Sequence, residues 1–297
     1  MSKRKNAEGG SGAPAGGKGG RGGKKGPGPQ TPKDAFVDNV RTLVYALAIA
    51  LFIRTFLVQA FRIPSGSMEQ TLLIGDFLLV DKITLGARVP GTNWRLPGFR
   101  EPRRGDILVF KDPRTNRDFI KRCIGEGGET LKVVDNHVFI DGHELPEPYK
   151  HVGPGGGIDL SNFPYRSAAR RDVKRWVQAE RMQRGISPTT PLPDGYRIPD
   201  DRIFMMGDNR NNSADSREWG SLDKSRVVGR AFVLYWSSDP EHAPGWVRRM
   251  PENWVKGFFQ LFLGRPRIRR LGTWLAHNYT DSYENALHAA TTAPGNE

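Results

Sequence analysis

Cysteine and histidine are scarce in this sequence. Cys123 is the single cysteine among 297 residues, so the chain cannot form an internal disulfide. The six histidines lie in turn-like, polar or C-terminal sequence, and none belongs to a Cys/His cluster with ligand spacing. They are poor candidates for the base of a catalytic triad, and we expect no metal site and no cofactor. A reaction catalysed by this chain must therefore depend on other residue types.

Acidic and aromatic residues are nearly absent from the N-terminal region. Glu8 is the only acid among residues 1–33, which carry much of the formal net charge of +13. A site that binds single-stranded nucleic acid is expected to interleave aromatic side chains with its cations. No aromatic side chain interleaves with these lysines and arginines. Their Gly/Lys/Pro-rich composition predicts a disordered basic tail over 1–34, and we expect no nucleic acid partner.

Uncharged runs long enough to cross a bilayer are also lacking. The longest, 42–53, is short for a span, but Arg54 can snorkel to the headgroups and extend it. We therefore predict one transmembrane anchor over 35–61. The positive charge before it favours a cytoplasmic N-terminus and an extracytoplasmic remainder. A buried core helix and a signal peptide cleaved after Ala60 remain as alternatives.

Two hydroxyls follow the predicted anchor on a turn. Pro64 and Gly66 impose this turn and present Ser65 and Ser67 on a loop. A serine becomes a nucleophile only when a base takes its proton. Lys121 is the alternative to histidine, because it lies inside strand-like sequence over 119–124, where burial can lower the pKa of its amine.

Four sequence blocks follow the apolar run in a fixed order. They are Ile-Pro-Ser-Gly-Ser-Met at 63–68 with Thr71 and Leu72, 104–110, Phe-Ile-Lys-Arg at 119–122, and Gly-Asp-Asn-Arg-Asn-Asn-Ser-Ala-Asp-Ser-Arg at 207–217. With these blocks the chain resembles bacterial type I signal peptidase (leader peptidase), over roughly 36–236. The resemblance implies a single-pass Ser/Lys endopeptidase of the bacterial cytoplasmic membrane. Its partners would be membrane lipid and translocated preproteins, whose signal peptides it would remove at small-x-small sites.

The resemblance also implies the roles of the site residues. Ser67 aligns with the nucleophile and Lys121 with the general base. Ser213 would hydrogen-bond the lysine amine and orient it. The backbone N–H of Ser67 and the hydroxyl of Ser65 would stabilise the oxyanion.

Further residues are assigned to substrate binding and structural support by the same resemblance. Apolar residues that would line shallow pockets for small side chains are Ile63, Leu72, Leu78, Val109 and Ile120. Asp215 with Arg217, and Asp208 with Arg210, are predicted to form two charge pairs that fix the last block. Two positions depart from the family pattern, which often has proline at Gln70 and aspartate at Asn211. We expect Gln70 to loosen the turn after Ser67, and Asn211 to leave activity intact.

Strand-like segments dominate after the turn. Rich in Val, Ile, Leu and Phe and bounded by turn residues, they cover about 75–83, 105–111, 118–124, 130–134, 137–140, 203–206 and 227–236. They predict a mainly β catalytic domain over 62–240, built of antiparallel sheets and partly barrel-like. Asp135 and Asn136 are predicted to form a hairpin turn. An inserted cap is expected at about 145–200, with a surface helix over 168–184.

The C-terminal region combines aromatic and basic residues. Over 241–277 it is too interrupted by Gly264 and Pro266 to span a bilayer. Either it lies at the membrane interface or its aromatics pack on the β domain. Residues 278–297 are expected to form a tail. Two other functions stay open: a membrane-tethered binding protein without catalysis, and a Ser/Lys self-cleaving protease of the repressor type.

Overall fold

A computed structural model of the protein describes residues 32–89, 92, 94–153, 162–163, 182, 195–251 and 254–275. The chain divides into two compact units, 1–48 and 49–297. The predicted basic tail, the C-terminal tail and the surface helix of the insert lie outside the described residues, apart from residues 32–34 and 182.

The first element is the apolar helix α1 (Pro32–Phe52), which continues into a π-helical turn at Ile53–Leu57. Residues Ala35–Leu57 form one helical stretch of 23 residues with a mean hydropathy of 1.8, and its apolar window is not buried in the protein. This length is enough to cross a bilayer. The predicted anchor therefore ends four residues too late, because Val58–Arg62 forms strand β1. The first four residues of β1, Val-Gln-Ala-Phe, extend the apolar run of the helix with one polar residue, so hydropathy placed them in the anchor.

The main sheet contains nine strands, all paired antiparallel. Its path runs β1, β2 (Asp76–Asp81), β11 (Val227–Asp239), β3 (Ile107–Lys111), β4 (Asp118–Gly125), β9 (Arg202–Met206) and β10 (Leu222–Asp223). The long strand β11 is at its centre and also pairs with β12 (Arg265–Pro266) and β13 (Thr273–Trp274). Bulges in β11 between its partners bend and twist it, which curls the sheet.

A second, four-stranded sheet has the order β7-β6-β5-β8. Its strands are β5 (Thr130–Val134), β6 (His137–Ile140), β7 (His143–Glu144) and β8 (Tyr196–Arg197). Asp135 and Asn136 form the predicted hairpin turn, with φ of 47° and 65°. The predicted fold class, mainly antiparallel β after one apolar helix, is confirmed.

The ends of the expected insert belong to this second sheet. Tyr196 pairs with Leu131 and is buried, and Leu145, Tyr149 and Ile198 lie in the same hydrophobic cluster. The guanidinium of Arg122 lies 3.9 Å from the ring centroid of Tyr149. Residues 145–153 and 195–200 are therefore part of the β domain's core, and only the sequence between them is left as an insertion.

A separate hydrophobic cluster lies beneath the serine turn. Met68, Leu72 and Leu78 have no solvent-exposed surface, and Val109 is 2 % exposed. Burying a side chain of this size contributes about 1.5–3 kcal/mol. The turn that carries Ser67 is therefore anchored to the rigid core by the residues that follow it.

The C-terminal region packs on β11. It contains α3 (Gly245–Arg248), α4 (Trp254–Leu263), β12 and β13, whereas the short helix α2 (Ser216–Trp219) precedes β11. Ser238 Oγ donates to Gln260 O at 2.8 Å, and Arg270 donates to Asp76 at 2.6 Å. Packing on the β domain, one of the two alternatives, is thus what the structure shows. Trp274 nevertheless stays 61 % exposed, and contact with a membrane interface remains a prediction.

Candidate active site

Ser67 lies on a 3₁₀ turn, Gly66–Met68, that follows strand β1. The β1–β2 ladder continues up to this turn, because Ile63 N donates to Asp76 O at 2.9 Å and Gly75 N donates to Ile63 O at 3.0 Å. The Ser67 side chain is 7 % exposed. Its hydroxyl is thus held in a nearly buried position by backbone contacts on both sides.

Lys121 reaches the same position from strand β4. Its Nζ donates to Ser67 Oγ at 2.5 Å, and the residue is only 4 % exposed. Burial in this apolar surrounding lowers the pKa of Lys121 to about 8, against the opposing attraction of Asp215 and Asp208. At neutral pH a pKa of 8 leaves about a tenth of the amine free to accept a proton. The structure therefore brings together the two residues on which the predicted chemistry depends.

Ser213 lies close to this pair but makes a different contact from the one predicted. Its Oγ is buried and has no hydrogen bond of normal geometry in the described part of the chain. The predicted bond to Lys121 is absent, because the amine donates to Ser67 and the Ser213 hydroxyl lies against Gly207. A Cβ on Gly207 would lie 2.3 Å from Ser213 Oγ and 2.5 Å from Ser67 O. Glycine at 207 is what allows both serines to approach so closely.

One of the two predicted charge pairs is present. Arg217 makes two hydrogen bonds to Asp215, at 2.9 and 2.8 Å, and both side chains are fully buried. Burial raises the pKa of Asp215, but Arg217, the Gly207 amide and the nearby Ser213 hydroxyl lower it overall. The carboxylate therefore stays ionised and fixes the loop that carries Ser213.

The second predicted pair, Asp208 with Arg210, is wrong. Asp208 instead binds Arg122 of β4 through two hydrogen bonds, at 2.9 and 2.7 Å. The Arg210 guanidinium makes two hydrogen bonds to the carboxylate of Glu147, one of them 2.9 Å long. Asp208 and Arg210 are close in sequence, and this closeness suggested the wrong partners, because each side chain contacts a different neighbour. The actual partners come from β4 and from the segment 145–153.

The two departures from the family pattern hold one segment in place. Gln70 has φ of +76°, which proline cannot adopt, and its amide lies 2.8 Å from Nδ1 of His151. Asn211 donates to the carbonyl of Gly153 at 2.9 Å. Gln70 therefore ties the serine turn to the segment 151–153 and does not leave it loose.

The remaining predicted residues surround the serine. Ser65 is exposed and extended, with φ of −135°. Four of the five predicted pocket residues, Ile63, Leu72, Leu78 and Val109, are buried in the core beneath the turn, and Ile120 packs against them half-buried. With no exposed surface, Leu72 and Leu78 support the site from behind in this structure, and the substrate pocket remains a prediction.

The cysteine and the described histidines make no side-chain hydrogen bond to Ser67, although His151 contacts Gln70 after the serine turn. Cys123 is buried, and burial raises the pKa of its thiol well above the ordinary value. Among the described histidines, His137 contacts Glu144 and His242 contacts Asp239, and neither approaches Ser67 by a hydrogen bond. Within the described ranges no group of three His, Cys, Asp or Glu side chains is placed to hold a metal ion.

A buried hydroxyl beside a desolvated amine can perform nucleophilic hydrolysis of an acyl group. On a mainly β domain, this defines the class of amine-assisted serine hydrolases. The family described as signal peptidase, peptidase S26, matches residues 36–236. The chain belongs to this family.

Individual relatives agree with the family match. A signal peptidase I of Pseudomonas fluorescens is 35 % identical over 229 residues, covering 71 % of this chain and 78 % of its own. One of Aquifex aeolicus is 33 % identical over 233 residues, covering 67 % and 83 %. Among solved structures, a signal peptidase I of Enterococcus faecalis V583 aligns with 25 % identity and a TM-score of 0.28, over 44 % of this chain and 97 % of its own.

Proposed function

We propose that this protein is an endopeptidase that removes N-terminal signal peptides from translocated preproteins at small-x-small sites. The observation that carries this proposal is the 2.5 Å contact between Lys121 Nζ and Ser67 Oγ in a nearly buried site. Membership of the signal peptidase family supplies the substrate class. Residues Ala35–Leu57 would anchor the enzyme in the bacterial cytoplasmic membrane, with the β domain on the extracytoplasmic side.

Neutral Lys121 would start the reaction as a general base. As Ser67 Oγ attacks the scissile carbonyl carbon, its proton moves to Lys121 Nζ. The resulting ammonium gives this proton to the leaving amine when the C–N bond breaks, which leaves an acyl-enzyme ester. Water, deprotonated by the same amine, then attacks the ester, and Ser67 recovers its proton as the signal peptide leaves.

Two further groups would stabilise the charges that develop. The Ser67 N–H and the Ser65 hydroxyl would donate to the oxyanion, and losing one such donor typically costs about 10²–10³ in rate. The Ser213 hydroxyl, which is buried beside Asp215 and makes no hydrogen bond to Lys121 in the resting site, would accept one from Lys121 when the amine takes up the proton. Ser213→Ala should therefore slow turnover without abolishing it.

A cleavage assay in detergent tests the proposal. Full-length protein is incubated with a preprotein whose signal peptide ends in Ala-x-Ala, and the mature N-terminus is identified by mass spectrometry. We expect Ser67→Ala and Lys121→Ala to abolish cleavage. The controls Ser225→Ala, at an exposed serine, and Lys224→Ala, at a half-buried surface lysine, should retain it. Full activity of Lys121→Ala would rule out the mechanism. Binding without cleavage would favour a tethered binding protein, and shortening of the chain itself a self-cleaving protease.

A further inference from the structure

An apolar pocket lies at the junction of the N-terminal helix and the β domain. Its volume is about 450 Å³. Three of its wall residues, Phe52, Phe56 and Leu57, end the apolar helical stretch, and the opposite wall includes Ile83, Ala87 and Trp94. We call this the helix-end pocket. Nearly all of its lining surface is apolar, so it suits a hydrocarbon ligand better than a peptide backbone, which needs hydrogen-bond partners.

The wall opposite the helix is a built structure. Leu96 N donates to Ala87 O at 2.9 Å and Val89 N donates to Trp94 O at 3.0 Å, so this loop pairs with itself as a short ribbon. Arg95 fastens the ribbon to the sheet through the carbonyls of Leu85 and Val227. The helix-end pocket is therefore preformed within the unit 49–297.

Two cations are sequence neighbours of residues that line the helix-end pocket, since Lys82 precedes Ile83 and Arg54 lies between Phe52 and Phe56. Lys82 Nζ donates to the carbonyls of Arg54 and Thr55, at 3.1 and 3.3 Å, at the end of the helix. Arg54 is exposed, and its guanidinium forms no ion pair with any described residue. The carboxylate of Asp118 attracts Lys82, but at 2.9 Å it pairs with Lys111. These two cations thus carry positive charge that no carboxylate of the described residues neutralises directly.

The location separates this pocket from the cleavage site. Along the β1–β2 ladder, Val58 pairs with Asp81 at the pocket end and Arg62 with Phe77 at the Ser67 end. At about 3.4 Å per residue, the two ends are roughly 14 Å apart. Residues next to a scissile bond at Ser67 therefore do not reach the helix-end pocket. If Ala35–Leu57 spans the membrane, however, the pocket opens where acyl chains meet headgroups.

We infer that the helix-end pocket binds one acyl chain of an anionic phospholipid, whose phosphate lies between Arg54 and Lys82. This inference rests on the membrane anchoring in the proposed function. Acyl chains fit an apolar cavity that continues from a membrane span, and the two cations supply the charge complementary to the headgroup. Such a lipid would fix the end of the helix against the β domain.

Fluorescence quenching by brominated lipids tests the acyl-chain site. Full-length protein in detergent is titrated with phosphatidylglycerol or phosphatidylcholine carrying bromine on the acyl chains, and Trp94→Phe is subtracted to isolate Trp94. We expect phosphatidylglycerol to quench the Trp94 signal. Ile83 is 39 % exposed, so Ile83→Glu can place a carboxylate at the pocket without burying it. This substitution should abolish the quenching. Ile268→Glu, at an isoleucine 70 % exposed and outside the pocket, should leave it unchanged.

The headgroup site is tested in the same titration. Each of the two cations is expected to strengthen phosphatidylglycerol binding by less than about tenfold. Arg54→Gln combined with Lys82→Gln should therefore weaken phosphatidylglycerol binding about 30-fold and leave phosphatidylcholine binding unaffected. Arg103→Gln, at an exposed arginine outside the pocket, should change neither. Equal binding of both lipids by the wild type would overturn the anionic site. Displacement of the brominated lipid by a signal peptide would make the pocket a substrate subsite and overturn the lipid site altogether.

The same samples are assayed for preprotein cleavage, which keeps the two proposals apart. Cleavage by wild-type protein without quenching of Trp94 would overturn the lipid site alone. Quenching without cleavage would overturn the proposed function and leave lipid binding standing.

Discussion

At the scale of single residues, the site depends on how burial changes one amine. An exposed lysine is protonated at neutral pH and therefore cannot accept a proton. Lys121 is 4 % exposed, and the loss of solvation lowers its pKa to about 8 despite two nearby carboxylates. A shift of this size corresponds to about 3 kcal/mol of destabilisation of the charged form. The chain tolerates this cost because the neutral amine is the form that can act as the base.

This pKa predicts how activity depends on pH. Because only the neutral amine accepts the proton of Ser67, kcat/KM should rise about tenfold per pH unit below pH 8 and level off above it. Initial rates with a signal-peptide substrate between pH 5 and 10 measure the profile, and any residual activity of Lys121→Ala should lack the inflection near 8. An inflection near pH 6.5 in the wild type would indicate a histidine base and contradict the assignment.

Gly207 is a second residue whose identity the site requires. A methyl group there would lie far inside contact distance of Ser213 Oγ and of the Ser67 carbonyl. We expect Gly207→Ala to cost about 1–3 kcal/mol of stability. Since both serines must move, the kcat of signal-peptide cleavage should fall by about 100-fold or more.

Gly245→Ala is the matched control for this substitution, because a Cβ at Gly245 meets nothing within 4 Å. It should change neither kcat nor the free energy of unfolding beyond about 0.5 kcal/mol. Wild-type kinetics for Gly207→Ala would show that the two serines need not be held this closely.

The sequence predicted the contact between Ser67 and Lys121 better than the contacts that support it. Ser67 on a Pro/Gly turn and Lys121 inside a strand pattern are local signals, and the structure joins them at 2.5 Å. The partnership of Asp208 with Arg122 is not local, because 86 residues separate the two. No periodicity or spacing encodes such a pair, so only the folded sheet shows it.

At the scale of elements, the sequence pattern predicted the strands correctly where they are long. All seven predicted strands are present, and 130–134 and 137–140 have the predicted bounds. Two kinds of strand were missed. β1 follows the helix without a turn residue between them and begins inside its apolar run, and the two-residue strands, such as β8, are too short to show alternation. Both are defined by their partners in the sheet.

The ion pair between β4 and the loop after β9 ties two elements of the site together. Arg122 and Asp208 are 1 % and 0 % exposed, so removing one partner leaves a buried charge alone. We expect Asp208→Ala to lower the free energy of unfolding by about 3–5 kcal/mol, measured by chemical denaturation. A double-mutant cycle with Arg122→Ala should give a strong coupling energy.

A surface ion pair in the same sheet is the reference for that measurement. Lys111 and Asp118 are 2.9 Å apart, but their side chains are 35 % and 36 % exposed. Asp118→Ala should therefore cost no more than about 1 kcal/mol. If Asp208→Ala cost as little, the buried pair would not be what positions the loop of Ser213.

At the scale of the whole molecule, an apolar helix precedes a β domain whose first strand begins within the same apolar run. The division between them decides where the chain can be cut. β1 pairs with β2 at five positions, from Val58 with Asp81 to Arg62 with Phe77, and Arg62 also contacts Gln260 of α4. The segment 58–62 is therefore part of the catalytic domain, although the sequence prediction placed residues 58–61 in the anchor.

This division predicts opposite outcomes for two truncated proteins. A chain that begins at Val58 loses one backbone bond to the domain, from Lys82 N to Leu57 O, worth about 1 kcal/mol. It should fold and cleave a soluble signal-peptide substrate. A chain that begins at Ile63 loses all of β1, which exposes the edge of β2 beside the Ser67 turn, and it should aggregate or melt at a much lower temperature. Thermal unfolding by circular dichroism, gel filtration and the cleavage assay compare the two. Equal stability of both would mean that β1 is dispensable, and that the catalytic domain begins where the hydropathy profile placed it.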